Sequence, residues 1–332
     1  MKTYEENTLA TMKNFYEYRE SPEKLLRFSN QDDKRDLDEI RNLCAGRRMF
    51  MEVFILLASR APLGQAIEKL LTAYKTDPRD DWAQETLYTY YSGKAMDAIK
   101  ARSFEEGLMD FIKAWQYYPK GSAIPAIAGY YYLDKGDLGA ASDWANKAIY
   151  LNPYNALAWI VRGRIELAKG RPELAIPLFE RALDTFKNFQ ADMKQSPILQ
   201  AFGHNNPAIF QARTYFFMGE AFRLTGNKPE ALKYYEQAVY LKPDYGEALA
   251  ASGKMFLDLG QIDASLQRYA KAVEAEPKNP FPHLLYSQAL ERVPEKKPDA
   301  IRELQEFLNL TPKDWPGRAR VEEHLAQLLS GR

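Results

Sequence analysis

The chain has 332 residues, 46% hydrophobic and 27% charged, with 21 tyrosines and 17 phenylalanines, a composition able to bury a core and poor in the signs of disorder. Its 45 basic and 45 acidic side chains cancel and are interspersed, so no basic face exists to neutralise a phosphate backbone, and nucleic acid is not expected as a partner. The single cysteine, Cys44, excludes an internal disulfide and any multi-thiolate metal site, and it fits a reducing compartment as a small apolar helix residue.

Met1 to Glu6 carry no apolar stretch of a secretory signal. The most apolar run, Met49 to Ala58, is broken by Glu52 and is far shorter than the ~20 residues a membrane-spanning helix needs. A cytoplasmic chain with no membrane span is the expectation. Ser21-Pro22 reads as a helix start, and 1–46 as an N-terminal segment of about three helices.

From 47 onward the chain repeats itself. Pro119 and Pro153 stand 34 residues apart, Pro243 and Pro277 again 34, and Pro277 and Pro312 stand 35 apart. Each of these prolines, with Pro78 before them, stops a helix by blocking its continuation and by biasing the preceding residue away from the α region. Five residues ahead of each except Pro312, where Phe307 stands instead, is an alanine, Ala73, Ala114, Ala148, Ala238 or Ala272, and seven ahead of that Ala66, Gly107, Ala141, Ala231 or Ser265. Small residues seven apart share one helix stripe, where a neighbouring backbone can approach. Further upstream Gly129, Gly163, Gly219 and Gly253 are each followed seven residues later by a loop glycine, Gly136, Gly170, Gly226 or Gly260. Ser103 and Asn227 read as helix N-caps, each with a glutamate three residues on.

This pattern resembles the tetratricopeptide repeat family, a 34-residue helix-turn-helix. Trp159, Gly163, Gly170, Ala175, Phe179 and Ala182 carry the resemblance, as do Tyr215, Gly219, Phe222, Gly226, Ala231, Tyr235, Ala238 and Pro243. About seven units are read, at 47–80, 88–121, 122–155, 156–189, 212–245, 246–279 and 281–314, followed by a capping segment at 315–332 opened by Trp315-Pro316 and striped by Val321, Leu325 and Leu328. The resemblance implies an all-α, right-handed superhelical α-solenoid with a concave side lined by the first helix of each unit. Unit four has Lys187 in place of the closing proline and is followed by an insertion at 190–211, so its second helix is expected to run past the usual stop. Deleting that insertion is expected to leave the array folded and to change ligand selectivity.

At about 100° per residue, positions 2, 5, 9 and 13 of each unit fall on the groove side. Among them Arg164, Arg213 and Lys254 are expected to anchor carboxylates, with Glu220 beside them, while Tyr130, Leu157, Ile160 and Phe216 would accept apolar side chains. The alternatives stay open that these charges pair with neighbours such as Glu220 or Glu247, and that the insertion folds back over Leu157, Ile160 and Phe216. Arg164→Glu and Phe216→Ala are each expected to weaken partner binding by ~1–3 kcal/mol. The Lys and Asn clamp by which some family members grip acidic chaperone tails is absent, since Ala126, Ile127 and Tyr130, then Ile160, Val161 and Arg164, hold those positions.

His204, His283 and His324 are scattered without ligand spacing, no glycine-rich phosphate loop follows a strand, and the Glu105-Glu106 pair belongs to a helix start. No cofactor, metal or catalytic residue is therefore expected. The function implied is a protein-interaction scaffold holding a protein or peptide segment, apolar with some acidic character, in its groove. Alternatives are a regulatory region of a larger, membrane-associated or enzyme-fused polypeptide, or a peptide-sensing regulator.

Overall fold

In the computed structural model, residues 49, 52, 53, 56, 63–119, 121–195, 197–201 and 206–330 are described. The helices expected in 1–46, with Cys44, and the histidine at 204 lie outside them. The described residues hold fifteen α-helices and one 3₁₀ turn, without a strand. They divide into two compact units, one reaching Lys94 and including Lys113–Tyr118, the other made of Ala95–Ile112 and Pro119–Arg332.

In the first unit, α1 (Leu63–Thr76) and the front of α2 (Asp81–Lys100) bury Ala66, Leu70, Ala83 and Leu87. Tyr117 closes this core, stacked on Tyr91 at 5.5 Å and set edge-on to Tyr74 at 5.0 Å. α2 begins seven residues ahead of the unit expected at 88. The cause is local. The Asp80 carboxylate accepts from the N–H groups of Trp82 and Ala83 at 2.9 and 3.2 Å, which caps the helix at its actual start.

The second unit holds the front of α3 (Phe104–Tyr117), whose last turn belongs to the first unit, and then helical hairpins: α4 (Ala123–Asp134) with α5 (Leu138–Leu151), and α6 (Ala156–Ala168) with α7 (Pro172–Gln195). The short α8 (Pro197–Ala201) follows. Then come α9 (Pro207–Leu224) with α10 (Lys228–Leu241), α11 (Gly246–Asp258) with α12 (Ile262–Ala275), α13 (Pro280–Leu290) with α14 (Lys297–Leu310), and a final α15 (Arg318–Ser330) against α14. The second helix of each hairpin packs on the first helix of the next, α5 on α6, α7 on α9, α10 on α11 and α12 on α13. Each hairpin thus buries an apolar face it could not cover alone.

The recurring small residues have their reason in this packing. A Cβ on Gly163 would stand 2.4 Å from the Phe179 ring, and one on Gly219 would stand 2.6 Å from the Tyr235 ring. The glycine of the first helix is the socket for the aromatic of the second. At the turn between the helices Gly226 has φ +81°, a left-handed conformation that a side chain would strain. Asn227 then starts α10 with its side chain accepting from the Glu230 N–H at 3.3 Å. Successive hairpins are also keyed by a polar contact: buried Asn155 caps α6 and donates from Nδ2 to the Ser122 carbonyl and hydroxyl, at 3.1 and 2.8 Å.

α7 departs from the pattern as the missing proline led one to expect. It runs for 24 residues where α5 has 14, continuing through Lys187 to Gln195. After α8, Asn206 caps α9 by accepting from the N–H groups of Ala208 and Ile209 at 3.0 and 3.3 Å, with Pro207 as the first helical residue. α9 therefore starts five residues before the unit expected at 212.

Candidate functional site

The first helices α4, α6, α9 and α11 line one wall of the second unit, and the expected groove positions fall into three settings along it. Tyr130, Leu157, Ile160 and Arg213 line a single slot with Asn206, Ile209, Phe210 and Phe217, which leaves room for about one water molecule. Leu157 and Ile160 are only 1% and 2% exposed. The alternative in which the chain covers its own wall here is the one observed: the front turn of α9 lies over these two side chains, and Phe210 is stacked on Phe186 of α7 at 5.1 Å. α8 packs on α4 and α7, with Ile198 and Leu199 buried.

The second setting is the Arg164 guanidinium, which lies 4.7 Å from the Tyr130 ring centre and 4.9 Å from that of Phe217. Its Nη2 donates to Asp134 Oδ1 at 2.8 Å, and its Nη1 is buried without a hydrogen-bond partner among the described residues, facing the rings instead. Arg164 from α6 thus ties α4 to α9. Its acidic partner is Asp134, and neither Glu220 nor Glu247. A side chain held this way stiffens the wall first, and its replacement would disturb three helices.

Phe216 and Glu220 form the third setting, both against Tyr235. Phe216 is half-buried among the rings of Phe217, Tyr235 and Tyr245 at 5.5, 5.9 and 5.4 Å. Glu220 accepts from Arg223 Nη2 at 2.7 Å and from the Tyr235 hydroxyl at 2.5 Å. Burial and the Glu220 carboxylate raise the Tyr235 pKa far above the usual phenol value, while the same carboxylate raises that of Arg223. Lys254 stands apart on α11, exposed and without an ion-pair partner among the described residues. Of the expected cations on this wall it is the one offered freely to solvent.

The 34-residue frame did not point to Ile198, Leu199, Ile209, Phe210 or Phe217. A signal for them was present in α4, whose Ile124, Pro125, Ala126, Ile127, Ala128 and Gly129 are all buried. Ala126 is a groove position and is 0% exposed. A helix apolar on every side is covered on every side, and the nearest uncommitted segment was the insertion. His283 is buried, with Nδ1 2.8 Å from Glu303, and His324 lies 3.0 Å from Glu291. Among the described residues no group of three or more His, Cys, Asp or Glu could hold a metal ion, and no helix is long and apolar enough to cross a membrane.

Comparison with known proteins places the hairpins in a family. Tetratricopeptide repeat models match residues 128–191 and 212–245. The human Tetratricopeptide repeat protein 6 is 26% identical over 201 residues, 56% of this chain and 39% of its own length. The Photosystem I assembly protein Ycf3 of Prochlorococcus marinus subsp. pastoris is 36% identical over 73 residues, 21% of this chain and 42% of its own. The chain therefore spans well under two thirds of either relative. Among solved structures, PilF of Pseudomonas aeruginosa superposes with a TM-score of 0.54 at 15% identity, covering 74% of this chain and 99% of that one. PilW, a type IV pilus biogenesis factor, gives 0.53 at 15% identity over 71% of this chain and 98% of that one. At such identity the likeness speaks for the fold alone. Both matched stretches fall on stacked hairpins spaced as their recurring glycines and prolines demand, and the chain is a member of the tetratricopeptide repeat family.

Proposed function

We propose that the chain is a protein-interaction scaffold without catalytic activity of its own, and that it holds a short partner segment, apolar with some acidic character, along the first-helix wall. Proteins of this repeat family serve in general as interaction scaffolds, which supports the coarse reading. One relative, 36% identical over 73 residues, is named an assembly protein, which is consistent with the coarse reading. The observation that carries the finer reading is the open stretch of wall on α9 and α11, where half-buried Phe216 lies beside Tyr245 and the exposed Lys254 follows on the next first helix. An apolar side chain would rest on the rings while a carboxylate approaches Lys254.

Arg164, Leu157 and Ile160 are engaged inside the fold, so the test falls on Lys254. The intact chain is used to capture its partner, and the affinity is then measured for the wild type and for Lys254→Glu, with Lys271→Glu on the exposed side of α12 as the control. Lys254→Glu should weaken binding about fivefold, ~1 kcal/mol, and reduce its salt dependence, with the control unchanged. Equal affinity in all three proteins would place the partner elsewhere.

A further inference from the structure

The last stretch of the first-helix wall holds an open cleft. Elsewhere in the second unit successive first helices pack on one another, α4 on α6 and α11 on α13. Between α13 and α15 a cavity of about 870 Å³ intervenes, with Leu304 of α14 at its base. Two local features account for it. The turn from α13 to α14 spans 291–296 and includes the 3₁₀ turn, where that from α11 to α12 spans only 259–261, so α13 stops early at Leu290. Arg318 fastens the start of α15 to the Leu308 and Thr311 carbonyls at 2.7 and 2.9 Å, which seats α15 on the end of α14. The volume lies within the range of ~300–1,000 Å³ common to ligand sites.

The cleft continues the groove side of the array, for Leu284, Gln288 and Arg292 stand 34 residues after Ala250, Lys254 and Asp258 of α11. Leu284, Val321 and the Trp315 indole give it apolar surface, the indole set edge-on to Phe307 at 5.4 Å. Gln288 on α13 and Gln327 on α15 bring side-chain amides to its two walls, each able to donate and to accept, as the backbone of a bound segment requires. Arg292 and Arg320 are exposed, and neither has an ion-pair or hydrogen-bond partner among the described residues. Of the two acids in the lining, Glu291 is engaged by His324, whose Nε2 lies 3.0 Å from both carboxylate oxygens. That leaves Glu323 against two uncommitted guanidinium groups, whose planar forks match a carboxylate.

We propose that the cleft between α13 and α15 is a binding site for a peptide segment carrying a carboxylate beside an aliphatic side chain. The carboxylate is taken by Arg292 or Arg320, the aliphatic group rests on Trp315, Leu284 and Val321, and the glutamine amides meet the peptide backbone. The proposal rests on the first-helix wall being the binding face and assigns the partner chemistry of its last stretch.

The probe is a set of fluorescein-labelled hexapeptides of leucine and glutamate in varied order, with a matched set in which lysine replaces glutamate, titrated by anisotropy into the full chain. At least one acidic peptide should bind saturably, about tenfold or more tighter than its lysine counterpart, and Arg292→Glu/Arg320→Glu should lose that binding about tenfold or more. A second variant leaves the charges alone: Gln288→Trp fills the cleft from an exposed position and should weaken the same peptide about fivefold or more with the helical signal intact. No saturable binding of any acidic peptide, equal binding of the two sets, or loss in the arginine variant without loss in Gln288→Trp would overturn the proposal, the last by reducing it to long-range attraction. Self-association of the wild type that Gln288→Trp abolishes would assign the cleft to a second copy of the chain instead. The Lys254→Glu measurement uses the captured partner and not these peptides, so either reading can stand when the other fails.

Discussion

Tyr235 shows how one side chain can join packing to charge. Its ring fills the space left by Gly219, and its hydroxyl donates to Glu220, which Arg223 also grips. Burial is the main cause of its raised pKa, with Glu220 adding to it, and burial likewise raises Tyr245 and Tyr269. The sign follows from linkage. These phenols stay protonated in the folded chain, whereas in the unfolded chain they release protons near the ordinary value of about 10. Stability from this source is whole below about pH 10 and declines as pH rises above it, by about 1.4 kcal/mol per pH unit for each phenol. The melting temperature should therefore hold level up to about pH 9.5 and then fall. Tyr235→Phe should cost about 1–2 kcal/mol at pH 7, since Glu220 loses a donor, and should make the alkaline fall shallower. A melting curve at pH 7 identical to the wild type would mean that the phenol contributes nothing.

At the scale of elements, α7, α8 and the front of α9 form the part of the chain that breaks the repeat. Deleting 190–211 removes Ile198, Leu199 and Phe210, all buried, and uncovers Leu157 and Ile160. The hairpins on either side keep their own sockets, so the shortened chain should retain its helical signal. It should also melt earlier and bind an apolar fluorescent dye that the wild type does not, because several aliphatic side chains worth ~1.5–3 kcal/mol each when covered now meet water. Loss of the helical signal would instead make the insertion an indispensable part of the core. The hairpins were legible because their causes are local and recur: a glycine socket, a turn glycine with positive φ and a stopping proline mark each one. The site was less legible. The groove positions assume a strict 34-residue frame, and Leu157 and Ile160 satisfy that frame while being covered by residues that lie outside it. The charges followed the same logic, for Arg164 found Asp134, 30 residues before it on the neighbouring first helix, and no pattern within one unit shows that pairing.

The second unit is a row of near-neighbour contacts, so its stability is approximately a sum of hairpin and interface contributions. Its ends differ from its middle. α15 buries none of its residues, yet Arg318 donates from Nη1 to the carbonyls of Leu308 and Thr311 at 2.7 and 2.9 Å and so satisfies the open end of α14. Hydrogen exchange should therefore show α15 opening first and α9 through α12 opening last, with Arg318→Ala lowering protection in α14 by about 1 kcal/mol. Uniform protection along the chain would contradict a row of semi-independent hairpins.

The Asn155 bond to Ser122 bears on how such a chain can be recombined. Its two halves lie on adjacent hairpins, 33 residues apart, and the amide is fully enclosed. A hairpin grafted in from elsewhere without the matching hydroxyl would leave that enclosed amide with the backbone carbonyl alone to donate to, at a cost of about 0.5–1.5 kcal/mol for the lost bond. Modules that look interchangeable by their glycines are therefore mated in pairs, and α4 with α6 should travel together or not at all.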